Sequence, residues 1–561
     1  MSLRFPIGTS DFLKLRRRGL HYVDKSAFIT DVLHSTAEVI LLPRPRRFGK
    51  TLNLSTLAAF VERTDEDRTD VFQDLAVWQA GADVRAHFGR HPVLFLTFKD
   101  VKARTWTDCR AALVEVIAAE CRRHEPIVAP VLNAGEQQIW DALYGRQADN
   151  ATLWRALALL SHWLHRATGE RVVLLVDEYD TPIHAGFHHG YYDEVIELFR
   201  NLFSGAFKDN SHLEKGVLTG ILRVAKESVF SGLNNLAVHT LLSPEMATHF
   251  GFTPAEVQAL ADGCNASERM PDIERWYNGY RFGGQTIYNP WSVLNFLVSM
   301  DRLPRPYWVQ TASDDILREL LIERGMLAQA DLEALVRGEA VTQAIDEHIA
   351  LRDVHRSSDA VWSFLLFCGY LRVDAKVDDD ALGRPVLQLS VPNREVATVY
   401  AGLFSLFLSN GLGGPGRVDS LCRALLTGDA QTFGALLGEL LLTTLSYHDL
   451  GGRRTEAVYQ AFVVGLLVTL ERTHEVTSNR EAGYGRYDVL VSPRQAGQPG
   501  AVLELKVVAN DDGETVAQAL DAALGQVRQR EYAAVLRQRG AGPVQEWGAV
   551  FDGKRAWVRL G

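Results

Sequence analysis

Val39-Ile-Leu-Leu-Pro-Arg-Pro-Arg-Arg-Phe-Gly-Lys-Thr51 is the stretch whose reading decides the fold of the first half of this chain. Val39 to Leu42 reads as a strand buried on both faces, and the turn after it is rich in proline and arginine. Beyond Lys50 the apolar residues Leu52, Leu54, Leu57, Phe60 and Val61 fall at helical spacing. Strand, turn and helix follow in the order of a phosphate-binding turn. Arg44 to Thr51 matches GxxxxGK[ST] at its last three fixed positions, with Arg44 where the first glycine would stand. The chemistry needs a backbone nest at a helix N-terminus, a lysine for the β and γ phosphates and a hydroxyl for Mg2+. Gly49, Lys50 and Thr51 are expected to supply these, Phe48 lies within the same turn, and Arg44, Arg46 and Arg47 are expected to add positive charge. The competing reading is a basic loop before an ordinary helix.

Working outward, Val93-Leu-Phe-Leu-Thr-Phe98 and Val172-Val-Leu-Leu-Val176 have the same doubly buried character and are separated by helical sequence, which predicts a parallel α/β sheet. A fourth strand is expected over Val217 to Leu222. The second of these strands runs into Asp177-Glu-Tyr-Asp180. Acidic residues at a strand end are what a Mg2+-nucleotide site requires, with Asp177 holding the metal shell and Glu178 polarising the attacking water. Thr219 is placed to sense the γ-phosphate, as is Arg223. His184, His188 and His189 follow the acidic strand end; glycines interrupt them, and they read as solvated loop residues rather than metal ligands.

From about Trp291 to Gly402 the pattern turns helical and ends in a hairpin, Tyr370 to Asp374 and Val386 to Ser390. Gly411 to Gly416 is the best linker candidate. Downstream lies a second α/β unit, with a helix at Glu456 to Glu471, strands at Tyr487 to Val491 and Ala501 to Val508, and a helix at Val516 to Arg537. In Leu503-Glu-Leu-Lys506, alternation puts Glu504 and Lys506 on one face. A strand otherwise apolar through Val502, Leu503, Leu505, Val507 and Val508 has little reason to carry a carboxylate and an ammonium unless they face a site. Asp488 and Glu504 would bind one or two divalent cations through hard oxygens, Lys506 would position the attacking water or stabilise the phosphorane charge, and Glu456 could complete the shell from its helix. Gln526 and Tyr532 could reach the same cleft.

The 561 residues predict several domains, and 47% hydrophobic against 23% charged residues is ordinary globular composition, which excludes long disorder and fibrous repeats. With 69 acidic and 59 basic side chains, a net charge of −10 excludes bulk attraction to nucleic acid. Any polyanion must meet a local basic track, with Arg16-Arg-Arg18 or Arg528 and Arg530 as candidates. Five scattered cysteines without a CxxC pair read as reduced, mostly buried thiols. No apolar run approaches the length of a membrane span, so no membrane partner and a cytoplasmic location are expected.

Tyr22-Val-Asp-Lys-Ser26, Arg44-Pro-Arg-Arg-Phe-Gly-Lys-Thr51, Val176-Asp-Glu-Tyr-Asp180, Thr219-Gly-Ile-Leu-Arg223, Ser231-Gly-Leu-Asn-Asn235, Trp276-Tyr-Asn-Gly-Tyr280 and Tyr288-Asn-Pro-Trp-Ser292 occur in this order. Together they resemble a bacterial family of AAA-ATPase-like proteins fused to a C-terminal PD-(D/E)XK nuclease-superfamily domain. Glu456, Gly485-Arg-Tyr-Asp488, Glu504-Leu-Lys506 and Gln526 fall on the nuclease signature. The resemblance implies a multidomain α/β chain: a P-loop core over 1–290, a helical and winged-helix-like lid over 291–410, and a restriction-endonuclease-like domain over 411–561. It further implies ATP and Mg2+ or Mn2+ as cofactors, an ATPase joined to a metal-dependent endo- or exonuclease, and nucleic acid, with DNA favoured, as partner. A defence or mobile-element setting fits by analogy, and homo-oligomer formation stays open. The alternative from another class is a nucleotide-switched binding or signalling protein with one or both sites catalytically inactive. A third is a nuclease whose ATPase-like part is only a scaffold.

Overall fold

A computed structural model describes residues 3–222, 229–230, 233–308, 320, 329–336, 338–411, 415–444, 456–467, 470, 473–482, 485–508, 515–529 and 532–561. The chain divides into two compact units, Met1–Ala312 with Thr342–Val396, and Ser313–Val341 with Ala397–Gly561.

The core of the first unit is a five-stranded sheet of β1 (Val39–Pro43), β2 (Val93–Thr97), β3 (Val172–Asp177), β4 (Leu213–Gly220) and β5 (Leu236–Val238), in the order β2-β3-β4-β1-β5. Every neighbouring pair is parallel. β1 and β3 are buried at every residue, the pattern expected of strands covered on both faces. Helix Lys50–Val61 packs on β2, β3 and β4, and helix Asn150–Thr168 packs on β3 and on helix Tyr192–Phe207. Register aligns Thr97 with Asp177 and Leu42 with Thr219, which brings these residues to one carboxyl edge of the sheet.

Two local expectations are corrected. The fourth strand runs over Leu213–Gly220, beginning four residues and ending two residues before the expected Val217 to Leu222. The segment bearing His184 is a helix, Thr181–His189, with Pro182 in its first turn and Gly190 closing it in the left-handed region at φ 79°. His188 and His189 are exposed, whereas His184 is half-buried with Nε2 3.6 Å from Asp180. A short hairpin, β6 (Tyr280–Phe282) with β7 (Gln285–Ile287), follows, then a three-stranded sheet ordered β8 (Val341–Ala344), β10 (Pro385–Ser390), β9 (Arg372–Asp379).

The second unit holds a mixed sheet of β11 (His474–Ala482), β12 (Gly485–Pro493), β13 (Gly500–Val507), β14 (Val544–Asp552) and β15 (Arg555–Leu560), ordered in sequence. Only β13 and β14 pair in parallel, and the crossover between them carries helices Val516–Gln529 and Tyr532–Gln538 in place of the single helix expected. Val502 and Leu490 pack with Val527, Tyr532 and Leu536 beneath that crossover. Tyr532 is fully buried there as a core residue. Among the described residues no helix is long and apolar enough to cross a membrane, and all five cysteines are free thiols.

Candidate functional site

In the first unit a cavity of about 480 Å3 opens beside the turn between β1 and helix Lys50–Val61, and that turn forms one of its walls. Arg47 and Gly49 take left-handed backbone at φ 68° and 87°, and Gly49 caps the helix N-terminus. Phe48 points away from solvent and packs edge-on to Tyr280 and against Phe282, with ring centroids 4.9 and 5.1 Å away, so it fastens the turn to the β6–β7 hairpin. Lys50 is buried, and its ammonium donates to the carbonyls of Arg44 and Pro45, each at 2.9 Å. Burial lowers its pKa, an effect opposed by Glu178, Asp180 and Asp177.

Asp177 is completely buried. Its Oδ2 accepts from the Thr51 hydroxyl at 2.7 Å and its Oδ1 from the Thr219 hydroxyl at 2.8 Å. Thr219 therefore touches the acid at the end of β3 and does not line the cavity, while Arg223 lies outside the described residues. Glu178 lines the cavity from a left-handed position at φ 52° and accepts from the Thr181 hydroxyl at 3.2 Å. A glutamate held there is backbone strain at the mouth of a site.

Arg46 and Arg47 are exposed and line the cavity; the Arg47 guanidinium lies 4.2 Å above the Trp291 ring, also in the wall. Arg44 overturns the expectation made for it. Its guanidinium is fully buried between the rings of Phe250 and Phe282, 5.2 and 5.5 Å away, and donates to the carbonyls of Pro43 and His239 at 2.8 and 2.6 Å. Burial pushes its pKa down to about 9. An arginine is tolerated at the glycine position because its side chain leaves the loop for an aromatic slot. Arg44→Ala is accordingly expected to leave nucleotide affinity within about twofold, while the emptied slot lowers stability by about 1–3 kcal/mol. Nucleotide titration alongside thermal or urea unfolding checks both halves.

The sequence reading gave no role to Asp180, Lys25, Lys99 or Lys102, which all line the cavity. Asp180 is buried, and its Oδ2 accepts from the N–H groups of Ile221 and Leu222 at 2.7 and 3.1 Å. Its burial is outweighed by His184 and those amides, which hold its pKa low. Lys25 reaches both carboxylate oxygens of Glu256 at 2.7 Å, and Asp24 accepts from the N–H of Ala76 at 2.7 Å. Tyr22-Val-Asp-Lys-Ser26 thus pins the N-terminal segment that walls the cavity; its dense polar and aromatic content was the available signal.

In the second unit the carboxylates of β12 and β13 come together. Val489 pairs with Leu503, so Asp488 and Glu504 lie one step beyond on adjacent strands. Asp488 Oδ2 accepts from the Leu505 N–H at 2.7 Å, and its carbonyl accepts from the Gln460 side chain at 2.7 Å, which ties helix Glu456–Leu467 to the strand. Glu504 is only 1% exposed, with Oε1 3.4 Å from the Lys506 ammonium. The Asp488 and Glu504 carboxylates on adjacent strands are oxygen donors of the kind a hard divalent cation takes, with the half-exposed Lys506 beside them. Glu456 begins the helix, and Gln526 is half-buried on helix Val516–Gln529. Of the expected basic tracks, Arg16 pairs with Asp74 and Arg17 with Glu66; Arg528 is exposed, and Arg530 lies outside the described residues.

A parallel sheet with a phosphate turn at its carboxyl edge, and a mixed sheet with paired carboxylates and a lysine, define a P-loop nucleotide-binding fold joined to a nuclease-type fold. Residues 6–230 match the family described as "Predicted AAA-ATPase", and residues 454–559 match the PD-(D/E)XK nuclease superfamily. An uncharacterised protein in the vnfD 5' region of Azotobacter chroococcum is 31% identical over 395 residues, covering 70% of this chain and 68% of that protein. The chain belongs to the family of AAA-ATPase-like proteins that carry a C-terminal PD-(D/E)XK nuclease-superfamily domain.

Proposed function

We propose that this chain binds and hydrolyses ATP in its first unit and, under control of that site, cleaves nucleic acid, DNA in the first instance, with a divalent cation in its second. The observation that carries the reading is the buried Glu504 carboxylate, set between Asp488 on the neighbouring strand and the half-exposed Lys506 on its own otherwise apolar strand.

At the nucleotide site the residues present fit a triphosphate and its metal. The cavity lies within the range of small-molecule sites, Lys50 stands inside the turn, and the Thr51 hydroxyl and Asp177 carboxylate already face each other at 2.7 Å. Lys50 would exchange two carbonyl partners for β- and γ-phosphate oxygens, and Thr51 with Asp177 would hold Mg2+. Glu178 would orient the attacking water, and Thr219 would keep Asp177 aligned. Arg46 and Arg47 would meet the phosphates from the open side. At the nuclease site Asp488 and Glu504 would hold Mg2+ or Mn2+, which supplies charge neutralisation at the scissile phosphate and a more acidic water. Lys506 would orient that water, with Glu456 and Gln526 contributing from the flanking helices.

The test is cleavage of linear and circular DNA by the purified chain in Mg2+ or Mn2+, with and without ATP, and with Glu504→Ala as control. Cleavage altered by ATP and removed by Glu504→Ala supports the proposal. A folded protein that binds ATP and cleaves neither DNA nor RNA refutes it in favour of a nucleotide-switched binding protein.

A further inference from the structure

The cavity takes up the carboxyl edge of the parallel sheet, and a different set of side chains meets at the amino edge. His87 follows the short helix Ala82–Arg85, His91 stands two residues before β2, and Glu214 is the second residue of β4. One donor atom from each of the three lies within 4.8 Å of the others. The two rings stack at 5.0 Å and 19°, with His87 Nδ1 2.8 Å from His91 Nε2.

The environment of His91 settles its tautomer. Its Nδ1 lies 2.9 Å from the Arg171 carbonyl oxygen, which accepts and cannot donate, so Nδ1 carries the hydrogen and the neutral ring turns the lone pair of Nε2 toward His87 and Glu214. An imidazole that gives one N–H to a backbone carbonyl and presents the other nitrogen inward is oriented as metal-bound histidines are. The ring is 2% exposed, and its backbone is clamped on both sides, N–H to the Val61 carbonyl and carbonyl from the Arg63 N–H, each at 2.8 Å. Glu214 projects from β4 between Leu213, which enters the core, and Lys215, which reaches the carbonyls of Ser35 and Ala37.

We propose that His87, His91 and Glu214 form a site for one Zn2+ ion, with water in the fourth position. Two imidazoles and one carboxylate favour Zn2+ over Mg2+, which prefers an all-oxygen octahedral shell. Binding needs the His87–His91 nitrogens to part from hydrogen-bond contact to about 3.3 Å, the separation set by Zn–N bonds of about 2.0–2.1 Å at a tetrahedral angle. The ion would staple the segment after Ala82–Arg85 to the central strand β4, at the edge of the sheet opposite the cavity. A neighbouring chain of imidazoles is distinct: His212 meets His162 through Nε2 at 3.1 Å and His165 through Nδ1 at 2.9 Å, so both its nitrogens are already engaged.

The experiment uses the untagged full-length chain carrying Glu504→Ala, so that the nuclease site does not contribute. The protein is stripped with chelator and equilibrated with Zn2+ or Co2+ in excess Mg2+. Expected are one Zn2+ per chain after gel filtration, visible ligand-field bands for the Co2+ form, and a thermal midpoint several degrees above that of the stripped protein. Glu214→Gln, nearly isosteric, and His87→Ala should each weaken Zn2+ binding at least tenfold and remove the thermal increment, whereas His165→Ala should change neither. If His87→Ala does not fold, Glu214→Gln carries the test alone. Zinc content equal in the parent and Glu214→Gln, or loss of zinc in His165→Ala, overturns the proposal.

Discussion

Glu504→Ala should lower metal-dependent cleavage by about 10³-fold or more, equivalent to about 4 kcal/mol of transition-state stabilisation, while ATP affinity stays within twofold. The size follows from burial. Glu504 is almost wholly out of solvent and lies against Lys506, so its removal deletes an oxygen donor that no water can replace in the same geometry and leaves an ammonium without its counter-charge. The alanine variant is therefore also expected to unfold more readily. Glu504→Gln keeps the packing and the oxygen on one branch but not the negative charge. It should retain most of the stability and still lose most of the cleavage, and steady-state cleavage rates beside unfolding curves separate the two contributions. A glutamine variant that cleaves at the parental rate would remove Glu504 from the metal site.

The second large effect is expected at Lys50. Lys50→Ala should weaken ATP binding by at least 100-fold, about 2.7 kcal/mol, measured by calorimetric titration of the folded variant. The ammonium that would meet the phosphates also closes the turn on itself through the Arg44 and Pro45 carbonyls, so the substitution removes both a ligand contact and the tie that shapes the loop. Cleavage without ATP should persist in this variant if the two sites are separate. Loss of both functions on either substitution, in proteins that remain folded, would defeat a two-site reading.

What the sequence disclosed of this molecule follows burial. β1 and β3 were legible because both faces of each are covered, which leaves no polar residue until the strand ends, and the polar residue that ends β3 is Asp177. The start of β4 was not, because Leu213-Glu-Lys-Gly216 reads as polar; Lys215 is accommodated there only through long-range bonds to the Ser35 and Ala37 carbonyls at 2.5 and 2.8 Å. β11, with the sequence His474-Glu-Val-Thr-Ser-Asn-Arg-Glu-Ala482, sits at a sheet edge and carries no apolar run to mark it. The Arg44 error is of another kind. Composition places three arginines in one turn, but whether a guanidinium faces a ligand or a pair of phenylalanines depends on Phe250 and Phe282, more than two hundred residues away in sequence. Neither periodicity nor motif spacing carries that information.

The Arg47–Trp291 stack would let the cavity report its own occupancy optically. The guanidinium stands 4.2 Å over an indole in the wall of the cavity, and a polyphosphate entering the turn would compete for the same cation and change the charge the indole senses. Ligand arrival would then be written into the protein's own emission at a position that Trp291→Phe isolates from the ten other tryptophans of the chain. Occupancy could be followed on the stopped-flow timescale without a labelled nucleotide.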